Sequence, residues 1–256
     1  MTQIIGHRGW RGKYPENSLI GFEKLALSPI QAVELDVVIT KENELIVSHE
    51  SWFDLQYCLS ETKNNLYQLS LEEIQKIDCG SKIDERFPEQ LKIKTVKPSF
   101  KALVDLWSNL GVKPFIALEV KSESHLYGSF QPFPADFADL LISFEKEFLQ
   151  GFDYFVQSFD PYFLKVYHEK NPETKTGLLI ENNLSIEENL SILGYHPDFY
   201  NPEHLLLSPE LITELKSKGI KTYTWTVNTK EDSERIKELE LEGIISDYPL
   251  ELMKWM

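Results

Sequence analysis

Short apolar segments typical of buried strands alternate with helix-like segments along most of the chain. The strands are predicted at residues 3–6, 32–39, 115–120, 154–157, 176–180, 199–200, 221–227 and 243–246. Helices are predicted between them, at residues 19–27, 100–110, 135–149, 161–169, 186–193, 209–218 and 230–239. Eight strands separated by helices favour a parallel sheet that closes into a (β/α)8 TIM barrel, an α/β fold. Functional residues of such a barrel lie at the C-terminal ends of its strands.

One region interrupts this alternation. Residues 45–48 follow a short turn, so they are predicted to form a hairpin strand that brings His49 toward the sheet. The stretch 50–99 then contains polar turns, several prolines and one helix-like segment at 71–77. Loops of this length usually carry function or form a small subdomain. We therefore predict a single TIM-barrel domain over residues 1–256, with 50–99 as a small capping insertion.

The charge of the chain disfavours some classes of partner. Its 256 residues include 41 acidic and 26 basic side chains, which give a formal net charge of −15. Such a chain offers little electrostatic support for binding nucleic acid or an anionic membrane surface. No run of about 18 apolar residues is present, so we expect no stable membrane insertion. The sequence does not predict the oligomeric state.

The cysteines and the N-terminus favour a cytoplasmic location. Cys58 and Cys79 match neither a CxxC motif nor a zinc-binding spacing. The first residues lack the basic and apolar segments of a signal peptide. We therefore expect a soluble protein of the reducing cytoplasm, in which both thiols have no chemical role.

Two carboxylates, Glu34 and Asp36, lie in an otherwise apolar predicted strand. Residues two apart on a strand share a face, so the two like charges would repel unless a cation lies between them. Oxygen ligands favour a hard divalent cation, Mg²⁺ or Ca²⁺, over zinc. An isolated Glu-x-Asp motif is more often found on an edge strand with both acids facing solvent. Here, however, apolar residues flank Glu34 and Asp36 on both sides.

The next predicted strand ends on a similar pair, Glu119 and Lys121. Glu119 can supply a third carboxylate ligand, and Lys121 can neutralise an anion held on the metal. Arg8 follows the first strand and would add a second positive charge at the same end of the barrel. The three acids, the cation and the two basic residues together predict a site for a phosphate group.

His7 and His49 follow the first strand and the hairpin strand. Either histidine alone would more often be a structural residue. At one barrel mouth beside three acids, the pair would supply the general acid and base that phosphodiester hydrolysis requires near neutral pH. Trp225, near the end of the seventh strand, could form a pocket wall or belong to the barrel core.

An ordered set of short segments resembles the glycerophosphodiester phosphodiesterase family, nearly from end to end. The segments are His7-Arg8-Gly9, Pro15-Glu16-Asn17-Ser18, Glu34-Leu35-Asp36-Val37, Ser48-His49, Glu119-Val120-Lys121, Gln157-Ser158-Phe159-Asp160, Trp225-Thr226-Val227-Asn228 and Ser246-Asp247-Tyr248-Pro249. Each segment alone is a weak signal, whereas the ordered set is specific.

The resemblance implies a (β/α)8 barrel that hydrolyses glycerophosphodiesters to sn-glycerol 3-phosphate and an alcohol, with one divalent cation, Mg²⁺ or Ca²⁺. It implies metal ligands at Glu34, Asp36 and Glu119, and an acid/base pair at His7 and His49. Arg8 and Lys121 would bind phosphate, Trp225 would line the substrate pocket, and Glu16 and Asn17 would support the loop that carries His7.

The implied partner is a small-molecule substrate such as glycerophosphocholine or glycerophosphoethanolamine. A lysophospholipase D-type activity, or a binding protein without turnover, is the alternative. The family commonly has Asp after the second histidine and an Arg-Thr pair soon after it. Here Glu50 follows His49 and residues 54–58 contain no arginine. This departure affects the expected head-group specificity more than the expected catalysis.

Overall fold

A computed structural model describes residues 2–82 and 84–256. Its strands are β1 (Gln3–Gly6), β2 (Ala32–Ile39), β3 (Leu45–Val47), β4 (Phe115–Val120), β5 (Tyr154–Ser158), β6 (Thr176–Ile180), β7 (Phe199–Pro202), β8 (Tyr223–Thr224) and β9 (Gly243–Ser246). Its α-helices are α1 (Leu19–Ala26), α2 (Leu71–Ile74), α3 (Phe100–Leu110), α4 (Pro134–Phe148), α5 (Pro161–Lys170), α6 (Ile186–Leu193), α7 (Pro209–Ser217), α8 (Lys230–Ile236) and α9 (Pro249–Trp255).

The strands form a nearly closed parallel barrel. Their order around the sheet is β7-β6-β5-β4-β2-β1-β9-β8, and β3 pairs antiparallel with β2 outside this path. Single parallel bridges between Phe199 and Lys221 and between Glu203 and Trp225 join the two ends of the sheet. The predicted (β/α)8 barrel is confirmed, as is the hairpin that precedes His49.

The side chains that point into the barrel form an apolar layer with a polar layer above it. A layer of mostly apolar side chains fills the interior: Ile5, Ala32, Ala117, Phe155, Phe199, Tyr223 and Ile245. Because side chains alternate between the two faces of a strand, residues two positions further on point to the same side. These residues are His7, Glu34, Glu119, Gln157, Asn201, Trp225 and Asp247. Polar groups therefore meet directly above an apolar floor.

Strand register brings the carboxylates of neighbouring strands together. In the parallel pair β2 and β4, Asp36 is the partner of Glu119. Neighbouring strands lie about 4.8 Å apart, so two carboxylates at the same level are close enough to share one cation. On the opposite faces of these strands, apolar side chains pack against the surrounding helices as part of the largest hydrophobic cluster.

Residues 50–99 pack on the barrel through a hydrophobic cluster of their own. Val38 of β2 and Ile46 of β3 contribute to it, together with Phe53, Leu66 and Ile74. The helix predicted at 71–77 ends at Ile74, after a start that Ser70 and Glu73 stabilise as a capping box. This segment therefore lies against the hairpin that carries His49.

The cysteines differ from the prediction. Cys58 and Cys79 form a disulfide within residues 50–99, so they are not free thiols without a role. Their positions are 21 residues apart in sequence, and no CxxC or zinc spacing marked them as partners. The cytoplasmic location stays a prediction, and a structural disulfide is unusual for a reducing compartment.

A few element boundaries also differ from the predicted ones. The strand predicted at 221–227 contains a regular ladder only at Tyr223–Thr224, because on the β7 side the pairing continues as the single bridges at Lys221 and Trp225. A last helix, α9, follows the barrel and begins with Pro249 at its first position. Among the described residues, no helix is long and apolar enough to cross a bilayer.

Candidate active site

A cavity of about 490 Å³ opens at the C-terminal ends of the barrel strands. Seven of the predicted site residues line it: His7, Arg8, Glu34, His49, Glu119, Lys121 and Trp225. Asp36, Glu16 and Asn17 are buried directly behind this wall. The structure therefore brings together all ten side chains that the sequence singled out.

Glu34, Asp36 and Glu119 form a buried carboxylate cluster. Each offers an oxygen atom that lies within 4.8 Å of the other two. Oε1 of Glu34 and Oδ1 of Asp36 are buried and accept no hydrogen bond from the described residues. A buried carboxylate oxygen without a partner is costly, so this cluster has the geometry of an oxygen-only cation site.

The electrostatics of the carboxylate cluster also favour a bound cation. Burial raises the pKa of Glu34 well above its ordinary value, and the negative charges of Asp36 and Glu119 raise it further. Burial also raises the pKa of Asp36. The positive charges of Arg8 and Lys121 nevertheless outweigh burial there and hold the pKa of Asp36 below its usual range. The cluster therefore contains a repulsion that the basic residues relieve only in part.

The imidazole of His7 is held by Asp247, which follows β9, the strand paired with β1. Its Nδ1 lies 2.7 Å from Oδ1 of Asp247, and its Nε2 lies 3.8 Å from Oε2 of Glu34. Burial lowers the pKa of His7, although the charge of Asp247 opposes this shift. A carboxylate only accepts hydrogen bonds, so the proton of neutral His7 lies on Nδ1 and leaves Nε2 as an acceptor.

His49 has a similar partner in Glu50. Its Nδ1 lies 2.6 Å from Oε1 of Glu50, and the hydroxyl of Tyr57 donates to Oε2 of Glu50 at 3.0 Å. Burial raises the pKa of Glu50, but the hydrogen bond and charge of His49 outweigh it and lower that pKa to about 2. Nε2 of His49 lies 3.2 Å from Nζ of Lys121. Glu50 therefore occupies the orienting position although the family commonly has Asp there.

Arg8 is buried, and its side chain is held by two carboxylates. Its guanidinium donates to Oε1 of Glu16 at 3.0 Å, and its Nε lies 3.2 Å from Oδ2 of Asp36. Its backbone N–H donates to Oε2 of Glu34 at 3.0 Å, from a left-handed conformation with φ 49°. Arg8 therefore contacts two members of the carboxylate cluster as well as the cavity.

Glu16 and Asn17 contact the site from behind. Glu16 accepts a hydrogen bond from Arg8, and its Oε2 lies 2.7 Å from Nη2 of Arg11. These positive charges overcome burial and keep the pKa of Glu16 well below its ordinary value. Nδ2 of Asn17 donates to Oδ2 of Asp36 at 2.8 Å. This amide occupies one carboxylate oxygen of Asp36 and leaves the other, Oδ1, without a partner among the described residues.

Trp225 and Lys121 line a further part of the cavity wall. Nε1 of Trp225 donates to the carbonyl oxygen of Asn201 at 2.9 Å, and its ring meets Phe159 edge to face at 5.3 Å. Nζ of Lys121 donates to Oε1 of Glu119 at 2.6 Å and lies over the Phe159 ring. Trp225 therefore has a held orientation and lines the cavity as well as the barrel core.

A model of the glycerophosphoryl diester phosphodiesterase family matches residues 7–251 of this sequence. The chain belongs to this family. The match includes every residue of the carboxylate cluster and both histidines, and it confirms the resemblance and the enzyme class that the ordered sequence segments predicted.

A named relative and two solved structures resemble the chain over nearly its whole length. A glycerophosphodiester phosphodiesterase of Caldanaerobacter subterraneus subsp. tengcongensis is 30% identical over 97% of this chain and 95% of its own length. The crystal structure of a candidate glycerophosphoryl diester phosphodiesterase from Silicibacter pomeroyi is 25% identical, has a TM-score of 0.89, and is matched over 92% of that chain and 100% of this one. An Oleispira antarctica phosphodiesterase, solved with its product sn-glycerol-3-phosphate, is 20% identical with a TM-score of 0.80, over 96% of that chain and 100% of this one.

Some contacts of this phosphodiesterase-family site were not predicted. Asp247 belongs to the family segment Ser246-Asp247-Tyr248-Pro249 and lies two residues beyond the interior residue Ile245, so the sequence placed it at the barrel mouth, but its contact with His7 was not predicted. Glu50 follows His49 in the sequence, where the family commonly has Asp, but its contact with Nδ1 of His49 was not predicted. Arg11 lines the cavity and lies 3.8 Å from Oδ1 of Asp247, but nothing in its spacing distinguishes it from other loop residues.

Proposed function

We propose that this chain hydrolyses small glycerophosphodiesters to sn-glycerol 3-phosphate and an alcohol, with one divalent cation, Mg²⁺ or Ca²⁺, and two histidines as acid and base. The observation that carries the proposal is a buried cluster of three carboxylates beside two histidines that are each oriented by a carboxylate. The bound product of the Oleispira antarctica relative supports the glycerol 3-phosphate half of the substrate.

The carboxylate cluster fits a hard cation. Glu34, Asp36 and Glu119 would hold it, and the buried free oxygens of Glu34 and Asp36 would gain the partner that the protein does not supply. When bound, such an ion polarises a phosphoryl oxygen and helps to generate the attacking oxygen. Three carboxylates and one divalent cation leave a net charge of about −1, so the positive charges of Lys121 and Arg8 are needed for a phosphate to approach.

His7 and His49 would move the protons. As the attacking oxygen forms its bond to phosphorus, one histidine accepts the proton of that oxygen. As the bond from phosphorus to the leaving oxygen breaks, the other histidine donates a proton to the leaving alkoxide. Asp247 and Glu50 hold the Nδ1 atoms, which leaves each Nε2 for this transfer. Each positioned group of this kind typically contributes on the order of 10²–10⁴-fold to the rate.

The cavity supports a small-molecule substrate. Its volume of about 490 Å³ lies within the range of small-ligand sites, and its lining is rich in charged groups. Trp225 would form an apolar wall for the glycerol carbons, while Lys121 and Arg8 face the phosphate. We also propose that residues 50–99 act as a cap, since they hold Glu50 and Tyr57 against His49.

The test is release of glycerol 3-phosphate from glycerophosphocholine, with and without Mg²⁺ or Ca²⁺. We expect Glu34→Ala to abolish metal binding in calorimetry and to lower kcat by about 10²-fold or more, and His49→Ala to lower kcat by a similar factor with metal binding intact. Glu187→Ala and His196→Ala are matched controls, because both residues lie on a separate surface beside α6. Unchanged rates in Glu34→Ala and His49→Ala would overturn the assignment of the site.

A further inference from the structure

We propose that a second cavity, beside His49, binds the alcohol part of the substrate and favours an alcohol that carries a positive charge. This subsite has a volume of about 200 Å³. The inference rests on the proposed function and adds to it the residues that would select the leaving alcohol: Trp52 and Glu123 would favour an aminoalcohol, such as ethanolamine or its quaternary trimethylammonium analogue, over a neutral alcohol.

The position of the subsite follows from that of His49. The main cavity and the subsite share three lining residues, His49, Lys121 and Glu123. We assign His49 the role of general acid, and a general acid must lie within hydrogen-bond reach of the leaving oxygen. With phosphate beside the carboxylate cluster and the leaving oxygen beside His49, the rest of the alcohol extends past His49, and the subsite is the space available there.

The chemistry of the subsite favours a cation. Trp52 supplies a half-buried aromatic wall, and its ring meets Phe130 edge to face at 5.9 Å, so its orientation is held. Glu123 supplies a carboxylate with 49% of its side chain exposed. Among the described residues, Glu123 forms an ion pair with exposed His125, at 3.6 Å. An aromatic face and a carboxylate together attract an ammonium group through cation–π and charge interactions.

The other charged residues of the subsite have partners elsewhere. Both oxygens of Glu50 are occupied, one by His49 and one by Tyr57. The ammonium of Lys121 lies 2.6 Å from Oε1 of Glu119, toward the carboxylate cluster, and in the proposed function its charge faces the phosphate. Glu123 is therefore the carboxylate of this cavity that is available to a cationic head group.

Contacts between two loops hold the subsite in shape. Nδ2 of Asn65, in the capping insertion, donates to the carbonyl oxygen of Ser129, in the loop between β4 and α4, at 2.8 Å. Asn65 also forms a bridge with Trp52. In the second loop, the N–H of Glu123 donates to Oε1 of buried Gln131 at 3.1 Å. Both walls of the subsite are thus joined before a substrate binds, which reduces the ordering cost of binding.

The experiment compares a cationic with a neutral substrate through the same product. Glycerol 3-phosphate release is measured from glycerophosphocholine, glycerophosphoethanolamine and glycerophosphoglycerol, for the natural chain and for Glu123→Gln, Trp52→Leu and Glu187→Gln. We expect Glu123→Gln and Trp52→Leu each to lower kcat/KM for the two cationic substrates by about three- to five-fold, mainly through KM, and to change it less than two-fold for the neutral one. Glu187→Gln should change none of the three values.

The possible outcomes separate the subsite from the main proposal. If the natural chain releases no glycerol 3-phosphate from any of the substrates with either metal, the proposed function fails. If it releases the product but Glu123→Gln and Trp52→Leu affect all three substrates equally, or none of them, the cationic subsite is wrong and the proposed function stands. Inhibition of glycerophosphoglycerol hydrolysis by added choline should be weaker in Glu123→Gln than in Glu187→Gln, and equal inhibition of the two variants would count against the subsite.

Discussion

Oδ1 of Asp247 lies 2.7 Å from Nδ1 of His7, although 240 residues separate the two along the chain. The other oxygen of Asp247 accepts a hydrogen bond from Nδ2 of Asn228 at 2.6 Å. The last barrel strand is therefore paired with the first one not only through the backbone but also through the imidazole that we propose as an acid or base. Asp247 holds the proton of that imidazole on Nδ1.

This contact predicts the effect of Asp247→Asn. If the amide keeps an oxygen toward Asn228, its NH₂ group faces His7 and forces the proton of the imidazole onto Nε2, the atom that must exchange protons with the substrate. We expect kcat to fall by about 10²-fold or more while KM changes less than three-fold. Steady-state kinetics gives the split, and nitrogen chemical shifts of His7 report the tautomer. An unchanged kcat with a reversed tautomer would contradict the role given to Asp247.

A second prediction concerns the cost of the carboxylate cluster. Glu34→Gln removes one of three buried like charges, so without added metal we expect the free energy of unfolding to rise, on the order of 1–3 kcal/mol. With saturating Mg²⁺ or Ca²⁺ the order should reverse, because the natural chain gains more from binding the ion. Urea unfolding in chelator and in metal measures both values. Equal stabilisation of the two proteins by metal would show that Glu34 is not a ligand.

A third prediction concerns Glu145, which lies outside the site on α4. Burial raises its pKa to about 7, although Tyr167 donates a hydrogen bond to it at 2.6 Å. In the unfolded chain this pKa returns to about 4.5. Between these values the folded state binds more protons than the unfolded state, so the stability contributed by this group is present below pH 4.5 and is lost as the pH rises to 7.

Glu145→Gln should therefore make the protein more stable at pH 8, by up to about 3 kcal/mol, and change little near pH 4.5. Gln keeps an oxygen that can accept from Tyr167 and never ionises. The exposed neighbour Glu147 provides the control Glu147→Gln, which should leave the pH dependence unchanged. Urea unfolding across this pH range measures the effect, and parallel curves for Glu145→Gln and the natural chain would disprove it.

A fourth prediction concerns the Cys58–Cys79 disulfide. The bond closes a loop of 21 residues within the segment 50–99, and a loop of that length corresponds to about 3 kcal/mol of stabilisation, because the bond restricts the unfolded chain. The double substitution Cys58→Ser and Cys79→Ser should lower Tm, and a reducing agent should lower the Tm of the natural chain by a similar amount. The double variant should not respond to the reducing agent. If the Tm of the natural chain is the same with and without the reducing agent, the proposed contribution of the disulfide is wrong.

Much of the barrel and most of the site residues could be predicted from local pattern. The apolar segments alternate with helices, so the order of the elements follows from residues that are close in sequence. Within the strands, reactive side chains recur two positions after apolar ones, and this spacing alone places Glu34 above Ala32 and Glu119 above Ala117. Family segments then indicated which of these residues carry chemistry.

The partners of these residues were decided by the tertiary structure. The contact of Asp247 with His7 exists because the barrel closes, and the Cys58–Cys79 bond exists because the insertion folds back on β2 and β3. Arg8 binds Glu16 and Asp36 because a loop with left-handed residues turns its guanidinium inward.

The sequence by itself thus determined the strands, their interior faces and the reactive residue types, because periodicity is a local property of the chain. Only the tertiary structure decided which acid holds which base, because those contacts depend on closure and register between segments far apart in sequence.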